Sequence, residues 1–346
     1  MNSIYLPLHY GKAPKWLLVR MKKLAEPIIK IIIEEFGEKE FFNRMANPIF
    51  FQSFSNVLGF DWNSSGATTV LTGVLKSVLN SNPDFSIKVA GGKGKEGLKT
   101  PEHIKTLASE IGLSDKKIED LITSSRFAAK IDSLAIQDGY DIYHHCVIFS
   151  DKRFLVIQQG MNEAKRMARR YHWLPNFKLK CEGQHSGIIT EKKEKLVIDL
   201  TSKESRENRK TSLDLIKEGR VKKDYRKLLS IIKYRGGVSV PRKVNWKAIE
   251  LAYNLQPSRF EELVLVRGLG KGTIRALALI SDLIYCKEYS KQDPAKYCFA
   301  VGGKDGVPYP VDRESYDEAI EFLRDVLKQA NLHSFEKLKK MRELIG

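Results

Sequence analysis

One stretch limits the possible folds of this chain more than any other: Val266-Arg-Gly-Leu-Gly-Lys-Gly-Thr-Ile-Arg-Ala-Leu-Ala-Leu-Ile280. Helical patterns lie on both sides of it. Pro257 to Val266 places Phe260, Leu263 and Val264 at helical spacing, and Ala276, Leu279, Ile280, Leu283 and Ile284 form a second stripe. Thr273 is the expected cap of that second helix. Gly268, Gly270 and Gly272 permit positive φ and lack the Cβ atoms that would keep another backbone away. The helix that follows offers free N–H groups to an anion. Arg267 and Lys271 flank the turn and favour phosphate over a plain glycine-capped corner. The Walker spacing is absent, and no strand pattern leads into the glycines, which argues against a mononucleotide loop.

Charge supports the same direction. The 346 residues carry 59 Lys and Arg against 42 Asp and Glu, a net charge of +17, which calls for a polyanionic partner. A Lys-rich thermophile surface is the competing explanation, but ion pairing does not use up this excess. The segment 202–247 holds fifteen Lys and Arg and five Asp and Glu. It is read as a DNA-backbone surface, with a solvated linker as the alternative. The four cysteines form no C-x-x-C pair, and no apolar run is long enough to cross a bilayer. The expectation is a cytoplasmic protein without a membrane partner.

Four regions are expected in an α+β chain. Residues 1–125 form a mostly helical part, with a long helix over Trp16–Phe36 interrupted or restarted at Pro27. Its aromatic run Phe41, Phe42, Phe50, Phe51 and Phe54 reads as core. Residues 126–201 form a small mixed α/β region with a hairpin, Tyr143–Phe149 and Phe154–Gln158, turning at 150–153, and a further strand at Leu196–Leu200. Residues 202–247 form the basic helical connector. Residues 248–346 form an all-helical C-terminal part. A basic glycine loop at 89–95, with Lys93 and Lys95, is a second candidate anion nest, against a plain flexible loop.

Candidate chemistry concentrates between Ser124 and Ser186, where four of the seven histidines lie. Asp132 and Asp138 are the expected oxygen ligands for Mg²⁺ or Mn²⁺. Lys130 is expected to neutralise a phosphate or place a water. His144 and His145 point to opposite faces of an alternating strand, so one of them serves any given pocket. Arg169 and Arg170 are read as a phosphate clamp. With a metal this inventory suits phosphodiester hydrolysis. The competing reading is a polar network that buttresses the fold. No D-x-D or E-x-K nuclease signature occurs, and Gln158 and Gln159 stand where such a strand would carry its carboxylate.

The Gly268–Gly272 turn resembles the helix-hairpin-helix motif of DNA repair and replication proteins, which implies sequence-independent hold on a DNA phosphate. Helix-hairpin-helix DNA glycosylases also carry a Pro-Val-Asp segment after the motif. Pro310-Val-Asp312 would supply it here, with Asp312 catalytic on a flipped base. Against this, Gly272 occupies the lysine position of the bifunctional enzymes, and Asp312 lies further along the chain than in that family.

Over nearly its whole length the chain resembles domain of unknown function family 763. The resemblance rests on Leu6-Pro-Leu-His-Tyr-Gly-Lys-Ala-Pro-Lys-Trp16, Gly59-Phe-Asp-Trp62, Val89-Ala-Gly-Gly-Lys-Gly-Lys95, Gln137-Asp-Gly-Tyr140, Gln158-Gln-Gly-Met-Asn162, Arg169-Arg-Tyr-His-Trp173 and Gly302-Gly-Lys-Asp-Gly-Val-Pro-Tyr-Pro-Val-Asp-Arg313. It implies one shared architecture and names no activity. Asn63 and Val301 stand where the family often has histidine, so the resemblance gives no support to a metal site on those two positions. The expected function is DNA binding in genome maintenance, with metal-dependent nuclease activity at Lys130, Asp132, Asp138, His144 and His145. DNA contacts are expected at Lys93, Lys95, Arg169, Arg170, Arg267, Gly268, Gly270, Lys271 and Gly272. The alternatives are a non-catalytic DNA-binding adaptor for a helicase or repair partner, and a glycosylase. RNA remains open as the polyanion.

Overall fold

A computed structural model describes residues 13–60, 65–175, 180–232 and 239–298. Four helices come first: α1 (Lys15–Phe36), α2 (Glu38–Ala46), α3 (Pro48–Val57) and α4 (Ser65–Ser81). Pro27 sits inside α1 and does not divide it. Asn47 caps α3, its Oδ1 accepting from the N–H groups of Ile49 and Phe50, and Pro48 fills the first helical position.

The sheet begins with β1 (Lys88–Lys93), followed by the short α5 (Lys95–Leu98), then α6 (Thr100–Glu110) and α7 (Asp115–Lys130). A π-helical turn, Ile131–Ala135, extends α7 and leads into β2 (Ile136–Gln137). Next come β3 (Asp141–Phe149), β4 (Phe154–Asn162), β5 (Met167–Trp173), β6 (His185–Thr190) and β7 (Ile198–Asp199). The expected hairpin is β3 and β4. The turn Ser150–Arg153 joins them, with the Ser150 N–H donating to the Arg153 carbonyl. The strand expected at Leu196–Leu200 is the two-residue β7, paired with β2.

Helices then dominate: α8 (Arg206–Lys217), α9 (Val221–Ile232), α10 (Trp246–Leu255), α11 (Phe260–Leu265) and α12 (Lys271–Leu283), before β8 (Tyr297–Cys298). The helical run from Leu213 to Ile232 is thus two helices. Gly219, at φ +67°, makes the break. The main sheet has the order β1-β3-β4-β5-β6-β8, antiparallel except for the last pair. The architecture is α+β, as expected.

Strand alternation explains the layering. Cys146, Ile148, Leu155 and Ile157 face α1–α4 and join a core that includes Phe41, Phe42, Phe51 and Phe54. Each such ring withdrawn from water contributes roughly 1.5–3 kcal/mol, so this aromatic group fixes the helices to the sheet. Val147, Phe149, Phe154, Val156 and Trp173 face the other way, into a core shared with α6–α12. Both cores take residues from both sides of the 125/126 boundary read from the sequence.

Candidate functional site

The expected chemistry falls into the interior of the sheet, divided by its two faces. On the face toward α7, a continuous chain of hydrogen bonds links six side chains from six segments. Ser125 Oγ on α7 lies 2.8 Å from His145 Nε2 on β3. His145 Nδ1 lies 2.8 Å from Gln158 Oε1 on β4. Gln158 Nε2 donates to the Ala128 carbonyl at 3.2 Å and to Asp132 Oδ2 at 2.5 Å. Asp132, in the π-turn, also accepts from Trp173 Nε1 at 2.8 Å, and its Oδ1 lies 2.6 Å from His185 Nε2. The register explains the convergence: His145 pairs with Gln158, and Gln158 with Tyr171.

The chain fixes protons. Gln158 uses its N–H groups on Ala128 and Asp132, so its oxygen must accept from His145 Nδ1–H. His145 Nε2 is then the lone pair that accepts from the Ser125 hydroxyl. Burial lowers the His145 pKa, opposed by Gln158 and Asp132, and keeps the ring neutral at neutral pH.

Asp138 belongs to a different network. Its Oδ2 accepts from Arg169 Nη1 at 2.8 Å and from the Tyr171 hydroxyl at 2.6 Å, and its Oδ1 from the Tyr140 N–H. Arg169 continues into a fork on Asp293, at 3.1 and 2.6 Å. Burial works against the Arg169 charge, but Asp138, Tyr171 and Asp293 outweigh it and push its pKa above the usual range. The two carboxylates expected to share a metal therefore have separate, protein-supplied partners. Among the described residues no group of three His, Cys, Asp or Glu is arranged to hold a metal. Lys130 is half-buried at the end of α7 and takes no part in either network.

On the opposite face, toward α4, the partners are neutral. His144 Nε2 lies 3.1 Å from Thr72 Oγ1, whose own proton goes to the Thr68 carbonyl at 2.8 Å, so His144 donates. Burial, with His145 and Lys93, lowers the His144 pKa to about 3. Gln159 joins Thr68, the Ser65 carbonyl and the Tyr143 hydroxyl. Arg170 reaches Gln52, Thr68 and the Pro48 carbonyl at 3.2–3.4 Å and stacks on Phe51, with no carboxylate among the described residues. Burial alone lowers its pKa to about 9. Arg169 and Arg170 are fully buried, which removes both from any surface clamp in this conformation.

The glycine segment at 89–95 is strand β1 as far as Lys93, then a turn at Gly94 into α5, rather than a loop. A Cβ on Gly91 would stand 2.2 Å from the His145 carbonyl, so the glycine serves close packing on β3. Lys93 and Lys95 are exposed.

At the expected hairpin, α11, a turn and α12 follow in order, with Gly268 at φ +85°. Gly270 precedes α12 as its N-cap residue. Thr273 is not the cap: it is buried, and its Oγ1 accepts from the Asn245 N–H at 3.1 Å. A Cβ on Gly272 would meet the Lys243 carbonyl at 2.5 Å, so the 241–243 segment lies against the start of α12. Arg267 is exposed, and Lys271 Nζ is 3.2 Å from Asp141 on the surface. Asn63, Val301 and Asp312 lie outside the described residues.

Sequence reasoning marked Asp132 and His145 but assigned no role to Ser125, Trp173 or His185. The Trp173 indole and His185 were visible as polar-tipped residues in the same window. Only strand register reveals that they meet Asp132. No curated protein and no solved structure matches the chain. A family model described as a protein of unknown function, DUF763, matches residues 2–311, and the chain belongs to that family.

Proposed function

We propose that the chain binds the phosphate backbone of nucleic acid, DNA foremost, through a surface made of α9, the 242–247 segment and the turn before α12. The observation that carries this is the charge on α9. Lys222, Lys223, Arg226 and Lys227 are exposed, while the helix's one carboxylate, Asp224, is buried and accepts from the Tyr285 hydroxyl at 2.6 Å. Lys222–Arg226 and Lys223–Lys227 are like charges one turn apart, an arrangement that weakens a helix by a few tenths of a kcal/mol per pair, roughly, and suits an anionic ligand. The three parts are contiguous. The Tyr225 hydroxyl donates to the Pro241 carbonyl at 2.7 Å, Tyr225 packs on Trp246, and Asn245 Nδ2 donates to the Gly268 carbonyl. Arg242, Lys243, Lys247 and Arg267 add exposed cations along this path. Trp246 and Tyr253, seven residues apart on one side of α10, offer exposed rings for unpaired bases to stack on.

Fluorescence anisotropy with labelled single-stranded DNA, duplex DNA and RNA across a salt series tests this. Affinity should fall steeply with salt, and Lys222→Ala/Lys223→Ala/Arg226→Ala should reduce the log–log slope by about two to three. A slope unchanged by that triple variant, in a folded protein, removes α9 from the interface.

A second reading is phosphodiester hydrolysis with Mg²⁺ or Mn²⁺. It is favoured by the meeting of Asp132 with His145 through Gln158. Cleavage assays on single-stranded, duplex and flapped DNA, with metal and with chelator, test it. Binding without cleavage under every condition leaves a DNA-binding adaptor.

A further inference from the structure

We propose that Ser125 is a nucleophile activated by His145, at a pocket that takes a carboxylic ester or thioester with an apolar acyl group. This goes beyond nucleic-acid binding and needs neither a polyanion nor a metal. Ser125 and His145 both border a pocket of about 630 Å³, distinct from the basic surface of α9. Leu98, Pro101, Ala129 and Ile142 give it an apolar wall, and Arg126 an exposed cation.

The geometry supplies what an activated hydroxyl requires: a base within hydrogen-bond reach, held in one tautomer by a third group. Ser125 to His145 Nε2 is 2.8 Å, and Gln158 Oε1 holds the Nδ1 proton at 2.8 Å. Gln158 cannot turn its amide over without setting its oxygen against the Ala128 carbonyl and the Asp132 carboxylate. When His145 takes up a proton, the imidazolium is stabilised by the Asp132 charge through that amide. Gly97 lets α5 lie directly on the His145 backbone, because a Cβ there would stand 3.4 Å from the His145 backbone nitrogen and 2.9 Å from the Gly92 carbonyl.

The reaction balances with water as the only co-substrate. Ser125 Oγ bonds to the acyl carbon as its proton moves to His145 Nε2. The carbon–oxygen or carbon–sulfur bond to the leaving group then breaks, and Nε2–H protonates the departing alkoxide or thiolate. Water, deprotonated by Nε2, attacks the acyl-serine. Its oxygen bonds to the acyl carbon, the Ser125 oxygen leaves and regains the proton from Nε2, and the carboxylic acid departs.

The test uses the full chain with chelator present. The protein is treated with a fluorophosphonate probe and mapped by peptide mass spectrometry, and hydrolysis of p-nitrophenyl butyrate is followed in parallel. The expected result is one phosphonyl group on Ser125, with ester turnover reduced roughly 100-fold or more in Ser125→Ala and in His145→Gln. Absence of label at Ser125, label only at another residue, or turnover unchanged in a folded Ser125→Ala variant overturns the proposal. The mapping is done on the wild-type protein, so the result stands even if a variant fails to fold. DNA affinity is measured on the same samples. Loss of α9-dependent binding with Ser125 still labelled, or the reverse, separates this proposal from the nucleic-acid reading.

Discussion

In the main sheet, three polar dipeptides repeat one residue type: His144–His145, Gln158–Gln159 and Arg169–Arg170. In each, the pleat sends the two copies to opposite faces of one sheet. Toward α7, His145, Gln158 and Arg169 are tied directly or through one another to the carboxylates Asp132, Asp138 and Asp293. Toward α4, His144, Gln159 and Arg170 find hydroxyls, amides and carbonyls only, among the described residues. Identical side chains a single residue apart thus occupy opposite electrostatic surroundings. Arg169 is charged beyond question in its double ion pair, whereas Arg170 is a buried cation whose pKa burial brings down to about 9. The surroundings, and not the residue type, decide what each can do.

The sharpest way to break this contrast is to remove the two arginines one at a time. Arg169→Met leaves Asp138 and Asp293 buried without their counter-charge and should cost about 3–5 kcal/mol in urea unfolding. Arg170→Met removes a buried charge that has no opposite partner and should fall within about 1 kcal/mol of the wild type. Equal losses would mean that the two faces do not differ in charge compensation.

A smaller effect concerns the buried histidines on both faces. His144, His145 and His172 all have pKa values lowered by burial, His144 to about 3. Each is neutral in the folded chain and takes up a proton on unfolding once pH drops below the ordinary histidine value of about 6.5. Stability is therefore full above that value and declines as pH falls. Each histidine adds on the order of 1 kcal/mol per pH unit, and for His144 the decline continues to about pH 3. Unfolding midpoints between pH 7 and pH 5, with proton uptake by calorimetry, check the sign. A flat profile would show that these rings are already solvated.

The smallest expected effect sharpens the tautomer assignment. Thr72→Val removes the acceptor for His144 Nε2–H and should cost roughly 1 kcal/mol, leaving the Ser125–His145 pair undisturbed. Imidazole nitrogen shifts would then change at His144 alone. A shift at His145 as well would mean that the two faces are coupled through the strand.

How much of this the sequence revealed follows from which signals are local. The β3–β4 hairpin was legible because β-branched and aromatic runs flank a polar turn. The phenylalanine core was legible from apolar density. Strand β5 was not, since Arg169, Arg170 and His172 break the apolar pattern, and burial of those residues depends on partners from distant segments. Asp132 and His145 could be singled out by residue type. Their joining through Gln158, and the separation of Asp138 from Asp132, depend on strand register and on the π-turn, neither of which a linear pattern reveals. The glycines of β1 and Gly272 were read as anion-binding features because close packing against a carbonyl leaves the same mark as a phosphate nest.

The π-turn at Ile131–Ala135 bears on how such a chain changes over generations. One residue added to an α-helix rotates everything beyond it by about 100°, enough to turn a buried face outward. A π-turn absorbs that residue on the spot, because its hydrogen bonds span one residue more. β2 starts directly afterwards at Ile136, and the pairing with β7 is kept. The carboxylate of Asp132 thus stands in a segment where a single-codon insertion or deletion changes the chemistry while the strands downstream keep their register.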